Sequence, residues 1–163
     1  TPIENTFKTA TPIAVAFITC GLILYLTKTT KEKTGKITYL DAILIGTAQG
    51  IAIIPGISRS GTTIATALLL GIKREKAFKF SFLLSIPAII GAFTLKLYKE
   101  QSQLATSSIG WTETIVGAVI AMIVGYLALK LLWKITAKRK LHLFAFYCWT
   151  IAIILIVLTA YGF

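Results

Sequence analysis

A short break between two apolar runs carries the residues of this chain that could do chemistry. In "IAIIPGISRSGTTIATALLLG", residues 51–71, an arginine stands among hydroxyl side chains and follows a Pro-Gly pair. Arg59 presents a planar fork that can bind two phosphate oxygens at once. The hydroxyls that could donate to the same anion are those of Ser58, Ser60, Thr62 and Thr63. These residue types in one short stretch indicate an anion site, and a phosphate group is the anion that fits them best.

The glycines around the arginine and the helix that follows it favour the same chemistry. Gly56 and Gly61 allow backbone amides to approach an anion closely. We expect the second short helix to begin at Gly61 to Thr63, so that its free amides and positive dipole end point into the break. Gln49 could line the same cavity. The alternative is structural: Arg59 pairs with a carboxylate or reaches the membrane surface while the hydroxyls cap a helix.

The elements that must position these residues are membrane helices. The chain has 163 residues, 56% of them hydrophobic, and its mean hydropathy is +0.81, well above that of ordinary soluble domains. Long apolar runs predict about four transmembrane helices, at residues 9–26, 77–97, 115–133 and 143–163. The sequence therefore predicts an all-α, polytopic integral membrane protein with a single domain over residues 1–163. We expect it to be a multi-pass protein of the inner (plasma) membrane.

The positive charge of the chain lies in the connections between these helices. Its net charge is +11, and the loops at 28–37, 73–76 and 134–142 are basic, whereas the loop at 98–113 is close to neutral. Basic loops set membrane topology and contact anionic headgroups, so we place them on the cytoplasmic side. The near-neutral loop and the C-terminus are then expected outside. Membrane lipids, and no nucleic acid, are the partners that this pattern predicts.

The segment 38–72 lies between two of the basic loops. A single span would place those loops on opposite sides of the membrane, although both are positive. We therefore predict a re-entrant helix-loop-helix hairpin at 38–72, whose first helix begins with a capping box of Thr38 and Asp41 and stops at Pro55. Irregular backbone at membrane depth requires surrounding protein or a water-filled cavity. The break at 55–61 should thus line a polar cavity.

Hydrolysis of a phosphate anhydride needs more than an anion site. A general base or a metal must also be held near the reacting group, yet all six acidic residues fall in loops or at helix ends. The one histidine, His142, follows a basic run and is interpreted as an interfacial residue. Cys20 and Cys148 lie inside apolar runs without metal-type spacing and are interpreted as packing residues. The chain therefore offers a substrate-binding half-site without an acid-base half.

Three stretches of the chain resemble a known family. They are "DAILIGTAQG", "PGISRSGTT" and "ALLLGIKREKAFKFSFLLSIPAIIGA". Together they resemble the second signature of the bacterial undecaprenyl-diphosphatase family, which is associated with bacitracin resistance. The resemblance implies an enzyme built of inverted repeats, each with a re-entrant hairpin. It also implies that the enzyme removes the terminal phosphate of undecaprenyl diphosphate, giving the lipid carrier for peptidoglycan synthesis, cell-wall biogenesis and cell shape.

The resemblance also assigns roles to individual residues. The residues that match the family's phosphate-binding residues are Ser58, Arg59, Ser60 and Thr63. Of these, Arg59, Ser58 and Thr63 are assigned catalytic roles, while Gly56 and Gly61 shape the loop. Family members carry an N-terminal repeat whose glutamates and histidine serve metal binding and proton transfer. We therefore expect a divalent metal, Mg²⁺ or Ca²⁺, with no ligands in this chain, and Gln49 stands where the pseudo-symmetric partner of one such glutamate would be.

The leading hypothesis is the C-terminal part of a longer lipid-diphosphate phosphatase, with the N-terminal repeat missing before Thr1. Alone, this part should bind a prenyl diphosphate without hydrolysing it. One alternative is a transporter or lipid-phosphate flippase, because broken helices with anion-facing N-termini also occur in transporters. Another is a truncated homologue that only binds lipid phosphate. Intramembrane carboxylates and a histidine upstream would favour the enzyme, and the sequence leaves a homodimer open.

Overall fold

The computed structural model of the chain describes residues 10–33, 36–106 and 110–161. Over these residues it is built of α-helices joined by short connections. In chain order the helices are α1 (Ala10–Leu26, continued by a 3₁₀ turn at Thr27–Thr29), α2 (Tyr39–Ile51), α3 (Arg59–Leu69), α4 (Arg74–Thr106), α5 (Trp111–Ala137) and α6 (Leu143–Ala160). The predicted ends of the first and last spans, at residues 9 and 163, lie outside the described residues.

Four segments of the described chain are long and apolar enough to cross a membrane. They are Thr11–Thr29, Arg74–Glu100, Trp111–Ala137 and Leu143–Ala160. By contrast, α2 and α3 have 13 and 11 residues, fewer than the roughly 20 that a helical span requires. The prediction of an all-α, polytopic membrane protein with about four spans is confirmed.

The first short helix, α2, begins as predicted and ends earlier than predicted. The Thr38 hydroxyl accepts from the Asp41 amide at 3.2 Å, and Asp41 Oδ2 accepts from the Thr38 amide at 2.9 Å. The Asp41 carboxylate also accepts from the Thr38 hydroxyl at 2.8 Å, and the bonds that it accepts from Thr38, the backbone one foremost, hold the pKa of Asp41 below its usual value. The helix ends at Ile51 rather than at Pro55. A proline disfavours helical backbone in the residue before it, so the chain leaves the helix ahead of Pro55.

Several other boundaries also differ from the sequence prediction. Helix α3 begins at Arg59 and not at Gly61 to Thr63. Helix α4 runs from Arg74 to Thr106, which extends the predicted 77–97 span at both ends. The flanking residues are mostly Lys, Glu, Gln, Leu and Ala, which favour helix whether or not lipid surrounds them. The predicted 98–113 connection is therefore largely helical.

The centre of the fold is the short helix α3, most of whose residues are buried. Helix α1 packs beside it, and α1 and α6 pack closely against each other, because Gly21 leaves room for the indole of Trp149. Trp149 Nε1 donates to the Ile18 carbonyl at 3.3 Å. Cys20 and Cys148 are free thiols in the core between these helices, as the packing interpretation predicted. The apolar residues of helix α5 that could span a membrane are not buried inside the described structure.

The two connections that flank the α2–α3 pair lie side by side. The Lys33 amide donates to the Gly71 carbonyl at 2.8 Å, and Glu32 Oε1 lies 3.4 Å from Arg74 Nε. Gly71 has φ +83°, where a Cβ would lie 3.2 Å from the side chain of Lys33. The chain therefore enters α2 and leaves α3 at neighbouring positions.

Candidate functional site

The break between α2 and α3 lies against the middle of α1. Gly56 has φ +96°, and a Cβ there would lie 3.0 Å from both the Ile13 carbonyl and Ala16 Cβ. The Ser58 amide lies 3.4 Å from Cys20 Sγ, which accepts a hydrogen bond from it. Since α1 is a candidate span, these contacts place the break beside the interior of a membrane-spanning helix. Gly56 is thus required both by its backbone conformation and by the close approach of α1.

Ser58 starts α3 by capping it. Its hydroxyl accepts from the Gly61 amide at 3.2 Å, which satisfies one of the free donors of the first turn. The structural alternative for this hydroxyl, capping a helix, is therefore present in the fold. Arg59 and Ser60 consequently lie within the first helical turn and not in the irregular backbone before it.

The backbone amides of the break can be accounted for one by one. The amides of residues 52, 53, 54 and 57 donate to carbonyls of preceding turns. Among the described residues, the amides of Gly56, Arg59 and Ser60 have no hydrogen-bond acceptor. All three residues are half-buried, and the first amides of a helix have no acceptor within it. Three free donors beside the centre of a candidate span therefore leave a place for water or an anion.

Arg59 adds a positive charge to these donors. It is half-buried, and over the described parts of the chain its guanidinium forms no ion pair. The alternative in which Arg59 pairs with a carboxylate is not found there. The charge, the free amides and the positive end of the α3 dipole all favour a negatively charged ligand at this point.

The hydroxyls predicted for this site fall into two groups. Ser58 and Ser60 line a pocket of about 210 Å³ whose other lining residues include Gly61, Leu132 and Cys148, which gives room for several waters of about 30 Å³ each. Thr62 and Thr63 are buried, with 4% and 1% of their surface exposed. The structure therefore brings Ser58 and Ser60 to one pocket, which Arg59 between them does not line, and it buries both threonines.

Thr63 is engaged inside the protein. Its Oγ1 lies 3.0 Å from the Arg59 carbonyl and 3.2 Å from the Ser60 carbonyl, and it forms a hydrogen bond with the Ser81 hydroxyl of α4. The Thr62 hydroxyl has no partner among the described residues. Ser81 was not among the residues predicted from the sequence, and its only signal is a small polar residue inside the apolar run "FKFSFLLS".

The side chain of Gln49, a residue of α2, contacts α4. Its Nε2 donates to the Leu84 carbonyl at 3.4 Å, while its Oε1 is buried without a partner in the described structure. It does not line the pocket that Ser58 and Ser60 share. Its side chain thus links the first arm of the hairpin to a long apolar helix.

The donors of this site do not fit a divalent metal. Mg²⁺ and Ca²⁺ are held chiefly by carboxylate and other oxygen ligands, whereas this site offers a guanidinium, amides and hydroxyls. Within residues 10–33, 36–106 and 110–161, no three His, Cys, Asp or Glu residues are grouped closely enough to hold a metal ion. The chemistry that this chain supplies here is anion binding.

Comparison with known proteins identifies the family of this chain. Residues 1–154 match the family described as bacitracin resistance protein BacA. The chain belongs to the BacA family. It is 46% identical over 165 residues to the undecaprenyl-diphosphatase of Carboxydothermus hydrogenoformans, a match that covers 98% of this chain and 62% of that protein. A second relative, the undecaprenyl-diphosphatase of Halothermothrix orenii, is 39% identical over 157 residues, which cover 94% of this chain and 60% of the relative.

A third relative is similar over nearly the whole chain. The undecaprenyl-diphosphatase of Methanosphaera stadtmanae is 38% identical over 162 residues, or 96% of this chain and 56% of that protein. The chain thus spans a little more than half the length of the curated relatives it matches. The BacA match includes the whole break and both arms of the hairpin.

Proposed function

We propose that this chain supplies the phosphate-binding half-site of an undecaprenyl-diphosphatase in the inner membrane. The reaction is hydrolysis of undecaprenyl diphosphate to undecaprenyl phosphate and phosphate, which recycles the lipid carrier of cell-wall synthesis. The names of the BacA relatives support the reaction. The observation that carries the site is the start of α3, where unpaired Arg59 and the free amides of Arg59 and Ser60 meet beside the middle of α1.

The geometry supports a role in holding charge during phosphoryl transfer. Attack of water on the terminal phosphorus breaks its bond to the bridging oxygen, and undecaprenyl phosphate is the leaving group. Negative charge on the transferred group is spread over its oxygens, so positioned donors stabilise the transition state. Arg59 supplies a two-pronged, charged donor, and the first turn of α3 supplies amides that need no reorganisation. Ser58 and Ser60 add hydroxyls at the adjoining pocket.

The hairpin at 38–72 is proposed to enter and leave the membrane on the cytoplasmic side. Two observations support this topology. The connections before α2 and after α3 are joined by the bond from the Lys33 amide to the Gly71 carbonyl, and the break lies beside the middle of α1. A hairpin of this kind would present the first turn of α3 at membrane depth, where a lipid diphosphate headgroup could reach it from the bilayer surface.

Binding by the purified chain tests the half-site. Farnesyl diphosphate should bind in detergent, and Arg59→Ala should weaken its Kd about ten- to hundredfold, because hydrogen bonds to charged groups contribute roughly 1.5–3 kcal/mol. Arg139→Ala is the matched control, since its side chain is 66% exposed and lies outside the break. Farnesol, which lacks the diphosphate, should show no dependence on Arg59. Equal affinity of the Arg59→Ala and Arg139→Ala variants would contradict the site.

Turnover tests the reaction. The full-length gene product should release phosphate from undecaprenyl diphosphate in the presence of Mg²⁺ or Ca²⁺, and Arg59→Ala should abolish the release. Because the metal ligands are proposed to lie outside this chain, the 163 residues alone should bind farnesyl diphosphate and release no phosphate. Release by the chain alone that depends on Arg59 would reveal a catalytic group here, with Asp41 and His142 the first to test. Lipid movement across a bilayer without phosphate release would favour a flippase.

A further inference from the structure

A buried hydroxyl pair joins the candidate site to the long helix α4. Thr63 of α3 is 1% exposed and Ser81 of α4 is 3% exposed, and their hydroxyls are hydrogen-bonded. In the part of the chain that the structure describes, the Ser81 hydroxyl has no other hydrogen-bond partner. Thr63, by contrast, also contacts the carbonyls of Arg59 and Ser60. The pair therefore connects α4 to the backbone of the turn that carries Arg59.

Counting protons fixes the direction of these bonds. A hydroxyl has one proton to donate and two lone pairs that accept, whereas a carbonyl oxygen only accepts. The carbonyls of Arg59 and Ser60 lie 3.0 and 3.2 Å from Thr63 Oγ1, so the Thr63 proton must be directed to them. The bond between the two hydroxyls must then use the proton of Ser81. Ser81 donates to Thr63, and Thr63 donates to the first turn of α3.

This order of bonds gives Ser81 control over the orientation of Thr63. The Ser81 proton occupies one lone pair of the Thr63 hydroxyl. The Thr63 proton is thereby directed to the backbone carbonyls of the first turn of α3. The same face of α4 also holds the other arm of the hairpin, because the Leu84 carbonyl, three residues after Ser81, accepts from Gln49. One face of α4 thus sets both short helices relative to each other.

We propose that Ser81 is a positioning residue for the phosphate site, acting through Thr63 on the first turn of α3. The proposal rests on the proposed function, since it assigns to that turn the binding of the diphosphate. Ser81 does not touch the substrate. Its hydroxyl fixes Thr63, and Thr63 fixes the carbonyl of the residue whose guanidinium binds the phosphate. Loss of Ser81 should therefore disturb alignment in the transition state more than substrate binding.

The test uses the full-length gene product and undecaprenyl diphosphate. Ser81→Ala should lower kcat about five- to tenfold, as expected for one neutral hydrogen bond in a buried site, with KM changed less than about twofold. Ser81→Cys keeps the size and a weak donor, so its kcat should lie between those of the wild type and Ser81→Ala. Ser85→Ala is the matched control: its hydroxyl donates to the Phe82 carbonyl within α4, and its kcat should be unchanged.

A double-mutant cycle separates positioning from a general role in folding. In a Thr63→Val background, Ser81→Ala should cost no further kcat, because the residue through which it acts is gone. A further five- to tenfold loss in that background, or an unchanged kcat in Ser81→Ala alone, would overturn the proposal. Arg59→Ala in the same assay separates the proposed phosphate site from the proposed role of Ser81. Full activity of that variant would refute the proposed site, whereas its inactivity beside a normal Ser81→Ala enzyme would refute the role of Ser81 alone.

Discussion

Replacing Glu32 with glutamine should loosen one end of the fold, because one carboxylate joins three basic connections. Glu32 Oε1 lies 3.4 Å from Arg74 Nε and 3.6 Å from Arg139 Nη2. Arg74 opens α4 and is buried, with 6% of its side chain exposed, and it also donates to Thr30 Oγ1 at 3.4 Å. Glutamine keeps the shape of the side chain and removes the charge. Arg74 would then remain buried beside Arg139 without a counter-charge.

The exposure of each partner sets the expected cost. The Arg139 side chain is 66% exposed, and exposed pairs contribute roughly 0.2–1 kcal/mol. Leaving one member of a fully buried pair uncompensated costs about 3–5 kcal/mol. The Glu32 side chain is 30% exposed, so water partly screens its pair with Arg74. Interpolating between these two limits, we expect Glu32→Gln to lower the free energy of unfolding by about 1–3 kcal/mol. A Tm shift of about 2–4 °C per kcal/mol gives a fall of roughly 2–12 °C.

The two cysteines provide the assay. Cys20 and Cys148 are both buried and free, so a maleimide that fluoresces on reaction with a thiol reports the unfolding of the purified chain in detergent on heating. Arg139→Gln is the matched control, because it removes only the exposed pair and should lower Tm by about 4 °C or less. Equal Tm values for Glu32→Gln and Arg139→Gln would show that the Arg74 pair contributes nothing, and would refute the reasoning from burial.

Three further predictions concern the hairpin. Arg59→Lys should reduce phosphate release by the full-length gene product about ten- to hundredfold although charge is kept, because lysine lacks the fork; near-normal release would remove Arg59 from the mechanism. Gly56→Ala should lower Tm in the thiol assay, because φ is +96° and the added Cβ would lie 3.0 Å from a carbonyl oxygen of α1; an unchanged Tm would contradict the close approach. Cysteines introduced at Lys33 and Lys73 should label from one face of the membrane and cysteines introduced at 100–110 from the other, and labelling of the first two from opposite faces would exclude a re-entrant hairpin.

Local sequence signals were enough to locate most of the helices. The capping pair Thr38 and Asp41 marked the start of α2, and apolar runs marked the four spans. The start of α3 was predicted too late because Ser58 was read as a ligand donor, although serine is also a preferred N-cap. The same serine both caps the helix and lines the pocket. The type of such a residue alone does not show whether it caps a helix, lines a pocket or does both.

Contacts between distant segments could not be predicted in this way. Whether Glu32 would meet Arg74 and Arg139 depends on how three connections are folded together, and no spacing rule relates them. The burial of Thr63 was missed for a related reason. In α3, residues on successive positions point about 100° apart, so a run of hydroxyls such as Ser60 to Thr63 cannot all face one ligand. Only the packing of α4 decides which of them turns inward.

The excess of donors at the break explains why this part of the chain should favour a diphosphate. The amides of Gly56, Arg59 and Ser60 lack acceptors among the described residues, and an arginine at membrane depth costs at least about 2.5–3.5 kcal/mol on insertion scales. Hydrocarbon cannot satisfy these groups, so water or an anion must do so. A diphosphate oxygen carries the negative charge that both the guanidinium and these amides favour.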